Sequence, residues 1–255
     1  MRVNKLRAAW GEAEAFLLAR PENRFYFSGF TGTEGSALIL PDKQLVLVDF
    51  RYVEQALAQC QGWEVIQLEQ SLYKELPNIL ARENITKLAL EGDFWTYDDY
   101  LRLQKSLPKV TLLSLPQTIE NLRLIKEANE IERIARAVSI GDQAFEQLLP
   151  LIKPGVREQD LALELEFLMR KQGASETSFT TIVASGSRAA LPHGTASDKK
   201  LAKGDLVVLD FGCVWEHYCS DMTRTVAVGQ AGAKEKEIYQ IVLEAQLAGL
   251  EILKA

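Results

Sequence analysis

The stretch Lys203-Gly204-Asp205-Leu206-Val207-Val208-Leu209-Asp210-Phe211-Gly212-Cys213-Val214-Trp215-Glu216-His217-Tyr218-Cys219-Ser220-Asp221-Met222-Thr223-Arg224-Thr225-Val226-Ala227-Val228 reads as two strands joined by a turn. Val207, Val208 and Leu209 run into Asp210, and Thr223, Thr225, Val226 and Val228 run out of Asp221; β-branched runs of this kind favour strands. A turn centred between Trp215 and Glu216 would place Asp210 directly opposite Asp221. Side chains alternate along a strand, so both carboxylates would share one face with Val208, Gly212, Cys219 and Thr223. Directly opposed Cβ atoms lie about 4.5 to 5.5 Å apart, and like charges there repel.

Several arrangements would relieve that repulsion. The register could differ, or one Asp could be protonated or paired with Arg224. Alternatively, a divalent cation or a pair of them could sit between the carboxylates, whose hard oxygens suit Mn, Mg, Co and Zn ions. Trp215-Glu216 lacks the Gly or Asn that a tight two-residue turn prefers, so a wider loop is expected.

The chain has 255 residues, 47% of them hydrophobic, enough to bury a large core and to form two domains, or one and part of a second. A net charge of -6, with no Lys/Arg block, argues against nucleic-acid or anionic-membrane partners. The N-terminus leads into charged amphipathic sequence containing Glu12, Glu14 and Arg20, not an apolar signal core, and no run approaches the ~18 apolar residues of a membrane span. The expected location is cytoplasmic. Cys60, Cys213 and Cys219 show no Cys-x-x-Cys spacing and are expected to be packing thiols, although Cys213 and Cys219 could meet across the hairpin.

Outward from the hairpin, Leu6, Ala9, Trp10, Ala13, Phe16 and Leu17 predict a helix over residues 5–19 that Pro21 stops. Strands are expected at Arg24 to Ser28, Ser36 to Leu40, Gln44 to Asp49, Glu64 to Leu68, Lys87 to Glu91 and Lys109 to Leu115. Helices are expected at Arg51 to Gln61, Ser71 to Glu83 and Thr96 to Leu107. This alternation makes residues 1–117 an α/β domain, with Pro116 marking the linker and a second domain over 118–255. Gly29, Gly32 and Gly35 are too scattered for a dinucleotide fingerprint.

In the second part, Leu124, Ala128, Ile131, Ala135, Val138, Phe145 and Leu149 trace one face of a long helix. A second helix, Glu158 to Gln172, buries Leu161, Leu165, Leu168 and Met169 and ends at Gly173. A β-rich run, Ser178 to Ala184, precedes the loop Leu191-Pro192-His193-Gly194. A last helix runs from Glu235 to Lys254, and its lack of a capping residue fits a chain cut from a longer one.

His193, between Pro and Gly in a loop, is a candidate for chemistry; His217, in the turn, is read as incidental. Asp210-Phe211-Gly212 matches the magnesium motif of protein kinases by chance, since the glycine-rich loop and His-Arg-Asp segment are absent.

Taken together, Ile182-Val183-Ala184-Ser185-Gly186, Leu191-Pro192-His193-Gly194, Leu209-Asp210-Phe211-Gly212 and Tyr218-Cys219-Ser220-Asp221-Met222-Thr223-Arg224-Thr225 resemble successive motifs of the Xaa-Pro peptidases, aminopeptidase P and prolidase. Asn23 to Gly32 and Asp49-Phe50-Arg51-Tyr52 resemble the creatinase-like domain that precedes their catalytic domain. The resemblance implies a mixed α/β and α+β chain: a creatinase-like N-terminal α/β domain followed by the first half of a pita-bread catalytic domain.

It further implies hydrolysis of the Xaa-Pro bond in peptides or dipeptides by two divalent metal ions, manganese foremost and cobalt or zinc as alternatives. The family holds them with two Asp, one His and two Glu. The aspartates carry over onto Asp210 and Asp221, eleven residues apart as the pattern requires, and His193 carries over onto the loop histidine that contacts substrate. A homodimer and a proline-containing peptide substrate are the implied partners. The remaining His and two Glu have no counterpart before Ala255, so the chain alone is expected to bind metal weakly and to lack activity. The competing expectation is an inactive pseudo-peptidase or fragment serving as a dimerisation or binding module.

Overall fold

The computed structural model describes residues 2–253 and falls into two compact units, Met1–Lys126 and Glu127–Ala255. The first runs α1 (Arg2–Ala9), β1 (Ala15–Leu18), α2 (Pro21–Ser28), β2 (Ser36–Ile39), β3 (Gln44–Val48), α3 (Val53–Gln59), β4 (Glu64–Gln67), α4 (Leu72–Arg82), β5 (Lys87–Leu90), α5 (Tyr97–Ser106), β6 (Thr111–Ser114) and α6 (Thr118–Leu124). Its mixed sheet has the order β4-β3-β2-β1-β5-β6.

The helix expected over residues 5–19 is two elements. α1 stops at Ala9, and Ala15, Phe16, Leu17 and Leu18 form an interior strand of the sheet, antiparallel to β2 and parallel to β5. Ala15 and Leu17 join one core with Leu38 and Leu88, while Phe16 and Leu18 join another with Leu6 and Trp10. A strand buried on both faces has no polar alternation, so its apolar run mimics a buried helix.

Pro21 likewise opens a helix instead of ending one, since its missing N–H costs nothing in the first turn. The segment from Arg24 to Ser28, read as a strand, therefore lies in α2. The boundary read at residue 117 falls short of the observed division because α6 docks back: Tyr26 Oη donates to the Leu122 carbonyl at 3.3 Å and Arg123 Nη1 to Asn23 Oδ1 at 2.8 Å. Ile119 of α6 is buried as well, in one core with Leu6 and Trp10, and Leu122 packs against it.

The second unit comprises α7 (Ala128–Leu148), α8 (Glu158–Lys171), β7 (Glu176–Thr177), β8 (Ile182–Ser185), β9 (Leu206–Phe211), β10 (Cys213–Trp215), β11 (Tyr218–Cys219), β12 (Met222–Ala227) and α9 (Ala233–Ile252). Two small antiparallel sheets form, in the orders β12-β9-β8 and β11-β10-β7. The expected continuous helix from Leu124 is broken at Ile125 to Glu127; Glu127 N–H donates to Glu130 Oε2 at 2.9 Å as α7 restarts.

The buried face of α7 is Ala137, Ile140, Gly141, Ala144 and Leu148; of the expected stripe Val138 and Phe145 pack against this core, Phe145 stacked on Phe211, while Ile131 is 57% exposed. Alanine and glycine carry little apolar weight in a periodicity count, yet they let α7 approach the sheet closely. A Cβ at Gly141 would come within 2.8 Å of Met222 Cε.

α8 keeps the expected pattern, burying Leu161, Leu165, Leu168 and Met169. The expected last helix forms as α9, although no residue between Ala233 and Ile252 is buried and Val242 is 62% exposed; Lys254, the expected helix end, lies outside the described residues. No helix among the described residues is long and apolar enough to cross a membrane.

Candidate metal centre

The register of the central hairpin sets where its carboxylates stand. Phe211 pairs with Met222, Asp210 with Thr223, Leu209 with Arg224 and Val207 with Val226, and the same register continues through Val214 with Cys219 to Trp215 with Tyr218. Asp210 therefore faces Thr223, and the expectation that it faces Asp221 is corrected. The turn is tight and centred one residue later, on Glu216 and His217, which both take positive φ, 46° and 68°. That is the conformation of a two-residue hairpin turn, here without the usual glycine. The observed pairing sets two buried side chains, Phe211 and Met222, together on the core face. The expected register would have kept both on that face but offset them, with Phe211 opposite Ser220 and Met222 opposite Leu209.

A slip of two residues preserves the faces. Val207, Leu209 and Phe211 are buried in the core, and Val208 and Asp210 point the other way. Position 221 lies between β11 and β12, outside either strand; alternation carried back from Thr223 would put it opposite Gly212 on the Asp210 face, offset diagonally. Gly212 is required there, since a Cβ would lie 1.9 Å from the Ser220 carbonyl oxygen, which in turn accepts a 2.7 Å hydrogen bond from Ser178 Oγ.

Thr223 Oγ1 donates to Asp210 Oδ1 at 2.8 Å. Arg224, one of the possible partners for these aspartates, pairs instead with Asp142 at 2.8 Å. Asp221 is exposed and has no hydrogen bond or ion pair among the described residues. The two hairpin cysteines do not meet. Cys213 is buried, its Sγ 3.3 Å from the Ala137 carbonyl oxygen, while Cys219 is exposed, and all three cysteines are free. Burial pushes the Cys213 thiol up from its ordinary value, against the opposing hydrogen bond from Ser220.

His193 lies in an exposed loop after a short 3-10 turn, Gly186–Ala190. The following Gly194 is buried, and a Cβ on it would sit 3.1 Å from Leu191 Cβ and 3.5 Å from Ala184 Cβ. Ala184 pairs with Val208, two residues along β9 from Asp210, so alternation puts Ala184 on the face of Asp210. The His193 loop thus rests on that same face.

Sequence reading missed Glu158, which holds this loop. Its fully buried carboxylate accepts at Oε1 from the Ser185 N–H and Oγ, both at 2.8 Å. At Oε2 it accepts from Arg188 Nε at 3.0 Å and from the Ser197 N–H and Oγ at 3.2 and 2.6 Å. Its only sequence signal is an acidic residue in the first turn of a helix, which is ordinary at that position.

Among the described residues no three His, Cys, Asp or Glu side chains gather into a ready metal site. The carboxylate oxygens of Asp210 and Asp221 are the donor type a hard divalent ion takes as part of a ligand set, and among the described residues no cationic side chain is paired to either.

A family model described as Creatinase/Prolidase N-terminal domain matches residues 2–125, and one described as Metallopeptidase family M24 matches residues 132–255. The uncharacterised peptidase YqhT of Bacillus subtilis is 43% identical over 256 residues, covering 100% of this chain and 72% of the relative. Among solved structures, an Xaa-Pro dipeptidase from Bacillus anthracis superposes with a TM-score of 0.96 at 44% identity, covering 100% of this chain and 72% of its own. An X-Pro aminopeptidase from Thermotoga maritima superposes with a TM-score of 0.92 at 35% identity, covering 99% and 72%.

Proposed function

Because the chain belongs to metallopeptidase family M24 and opens with a creatinase/prolidase-type N-terminal domain, we propose that it provides the first part of an enzyme cleaving the Xaa-Pro bond of peptides or dipeptides. The observation that carries this reading is the outward face of the β12-β9-β8 sheet. Asp210 lies on it opposite Thr223, strand alternation would bring Asp221 to the same side, neither has a cationic partner among the described residues, and the Gly194 end of the His193 loop lies against Ala184 on that side.

Asp210 and Asp221 would hold two divalent ions, manganese foremost with cobalt or zinc as alternatives. Bound there, the ions would supply an acidified water as nucleophile and polarise the scissile carbonyl. Thr223, donating to Oδ1 of Asp210, fixes the carboxylate plane and leaves Oδ2 to bind. His193 offers an imidazole to the substrate or to the tetrahedral intermediate. Within these 255 residues the family's other three ligands have no counterpart, so the chain alone is inactive.

The test is a chimera that joins this chain to the segment of the Bacillus anthracis relative beyond the matched region, assayed with Mn2+ on Ala-Pro and on Ala-Pro-Ala. Hydrolysis by the chimera, lost in Asp210→Asn and absent from the chain alone, is expected. Turnover by the chain alone, or by the Asp210→Asn chimera, overturns the reading. The exposed apolar residues of α9, Ile238, Ile241 and Val242 among them, favour a second reading, a dimerisation or binding module. Under it the chain self-associates and the chimera is inactive.

A further inference from the structure

We propose that Glu158 is a positioning residue that clamps both ends of the loop presenting His193; the catalytic consequence of that clamp rests on the metallopeptidase reading of His193. The donors it gathers come from three places along one excursion of the chain. Ser185 stands where the excursion leaves β8, Arg188 lies within it, and Ser197 stands where it returns. Arg188 Nη2 also reaches across the loop to the Thr195 carbonyl at 2.6 Å. A single carboxylate therefore pins residues on both sides of His193.

The clamp is anchored in the core through α8 and tied to the returning end of the loop. Glu158 begins α8, whose Leu161 and Leu165 are core residues, and the first N–H groups of that helix are taken up by the returning segment: Glu158 N–H donates to the Lys199 carbonyl at 3.0 Å and Gln159 N–H to the Ser197 carbonyl at 3.1 Å. Lys199 Nζ donates to Ser185 Oγ at 2.6 Å and to Asp205 Oδ2 at 2.7 Å. Each hydroxyl in the network both gives and receives: Ser185 accepts from Lys199 and donates to Glu158, and Ser197 accepts from the Lys199 N–H and donates to Glu158.

Five donors converge on two oxygens, and only an ionised carboxylate accepts them all. Glutamine, of the same shape, offers one oxygen and turns an NH2 group toward the other donors. Glu158→Gln therefore releases the loop while leaving the core packing of α8 in place.

Amide hydrogen exchange in the chain as it stands tests this without recourse to catalysis. The Leu191, Gly194, Thr195 and Ser197 N–H groups are all hydrogen-bonded. In Glu158→Gln they should exchange at least about tenfold faster, with α7 and β9–β12 amides unchanged. The His193 ring Cε1–H resonance should move toward that of an unstructured histidine. Ser197→Ala, which removes one donor, should loosen residues 193–197 more than 185–188 and serves if the first variant does not fold. Unchanged loop exchange, or equal acceleration in loop and core, overturns the proposal. An inactive chimera would count against the peptidase reading alone.

Discussion

Thr223 Oγ1 lies 2.8 Å from Oδ1 of Asp210, directly across the β9–β12 ladder. The pair joins one of the two positions that the family resemblance marks as ligands to the β-branched neighbour that faces it. A carboxylate with one oxygen so held presents the other in a fixed direction. Thr223→Val keeps the shape and removes the donor, so Mn2+ affinity should fall by about tenfold or more. Folding stability should change by less than about 1.5 kcal/mol. Titration by isothermal calorimetry beside urea unfolding checks both, and a variant that binds Mn2+ as the parent does would leave Thr223 without a role at the site.

Gly212 is held to glycine by close approach. A methyl group there would meet the Ser220 carbonyl oxygen at 1.9 Å. Because that atom belongs to backbone already bonded to Ser178 Oγ, it cannot swing away as a side-chain end could. Gly212→Ala should destabilise the C-terminal unit by about 1 to 3 kcal/mol, measured as a shift of its unfolding transition. An unshifted transition would mean the hairpin relaxes without cost.

Thiol reactivity should sort by burial. Cys219 is exposed, whereas Cys60 and Cys213 are buried and burial pushes both their thiols up. Since the thiolate is the reacting form, iodoacetamide near neutral pH should modify Cys219 first and the other two only after unfolding, as read by mass spectrometry. Early labelling of Cys213 would contradict the observed register.

Two buried carboxylates should impose opposite pH dependences. Burial raises the Glu158 carboxyl, but the hydroxyls of Ser197 and Ser185, the Ser185 N–H and Arg188 outweigh it and hold the group below its ordinary 4.5. Its contribution is therefore complete above 4.5 and lost as pH falls through the lower folded value. In Glu91 burial prevails over the hydrogen bonds from Arg20, Ala19 and Asn23, and the carboxyl is raised from 4.5. Its contribution is complete below 4.5 and lost as pH rises through the folded value. Urea midpoints between about pH 3 and 7 should show Glu158→Gln costing most at neutral pH and Glu91→Gln costing most in acid. Parallel curves for the two variants would refute the assignment.

Much of this was legible in the residues. The strands β2 to β6 and the helices α3, α4, α5 and α8 followed from apolar spacing and turn residues, because each has one clear periodicity and a marked end. The motifs around Asp210, Asp221 and His193 were sufficient for the family. Where reading failed, apolar pattern was not what decided the structure. β1 is buried on both faces and so lacks alternation. Pro21 begins a helix, where its lost N–H is not missed. α7 turns its small residues inward, and the hairpin turn falls on Glu216 and His217, which take positive φ without a glycine to mark it. Glu158 was invisible because its partners, Ser185, Arg188 and Ser197, lie far along the chain and are brought to it only by the fold.

Metal binding by this chain requires Asp210 and Asp221 to act on one cation-holding face beside His193. Substoichiometric Mn2+ added to the 15N-labelled chain reports this directly, since a bound paramagnetic ion broadens nearby amides even when affinity is low. The prediction is that resonances of Asp210, Asp221, Thr223 and His193 broaden together, and that Asp210→Asn abolishes the effect at all four. Broadening confined elsewhere, or persisting at Asp221 in the Asp210→Asn variant, would contradict it.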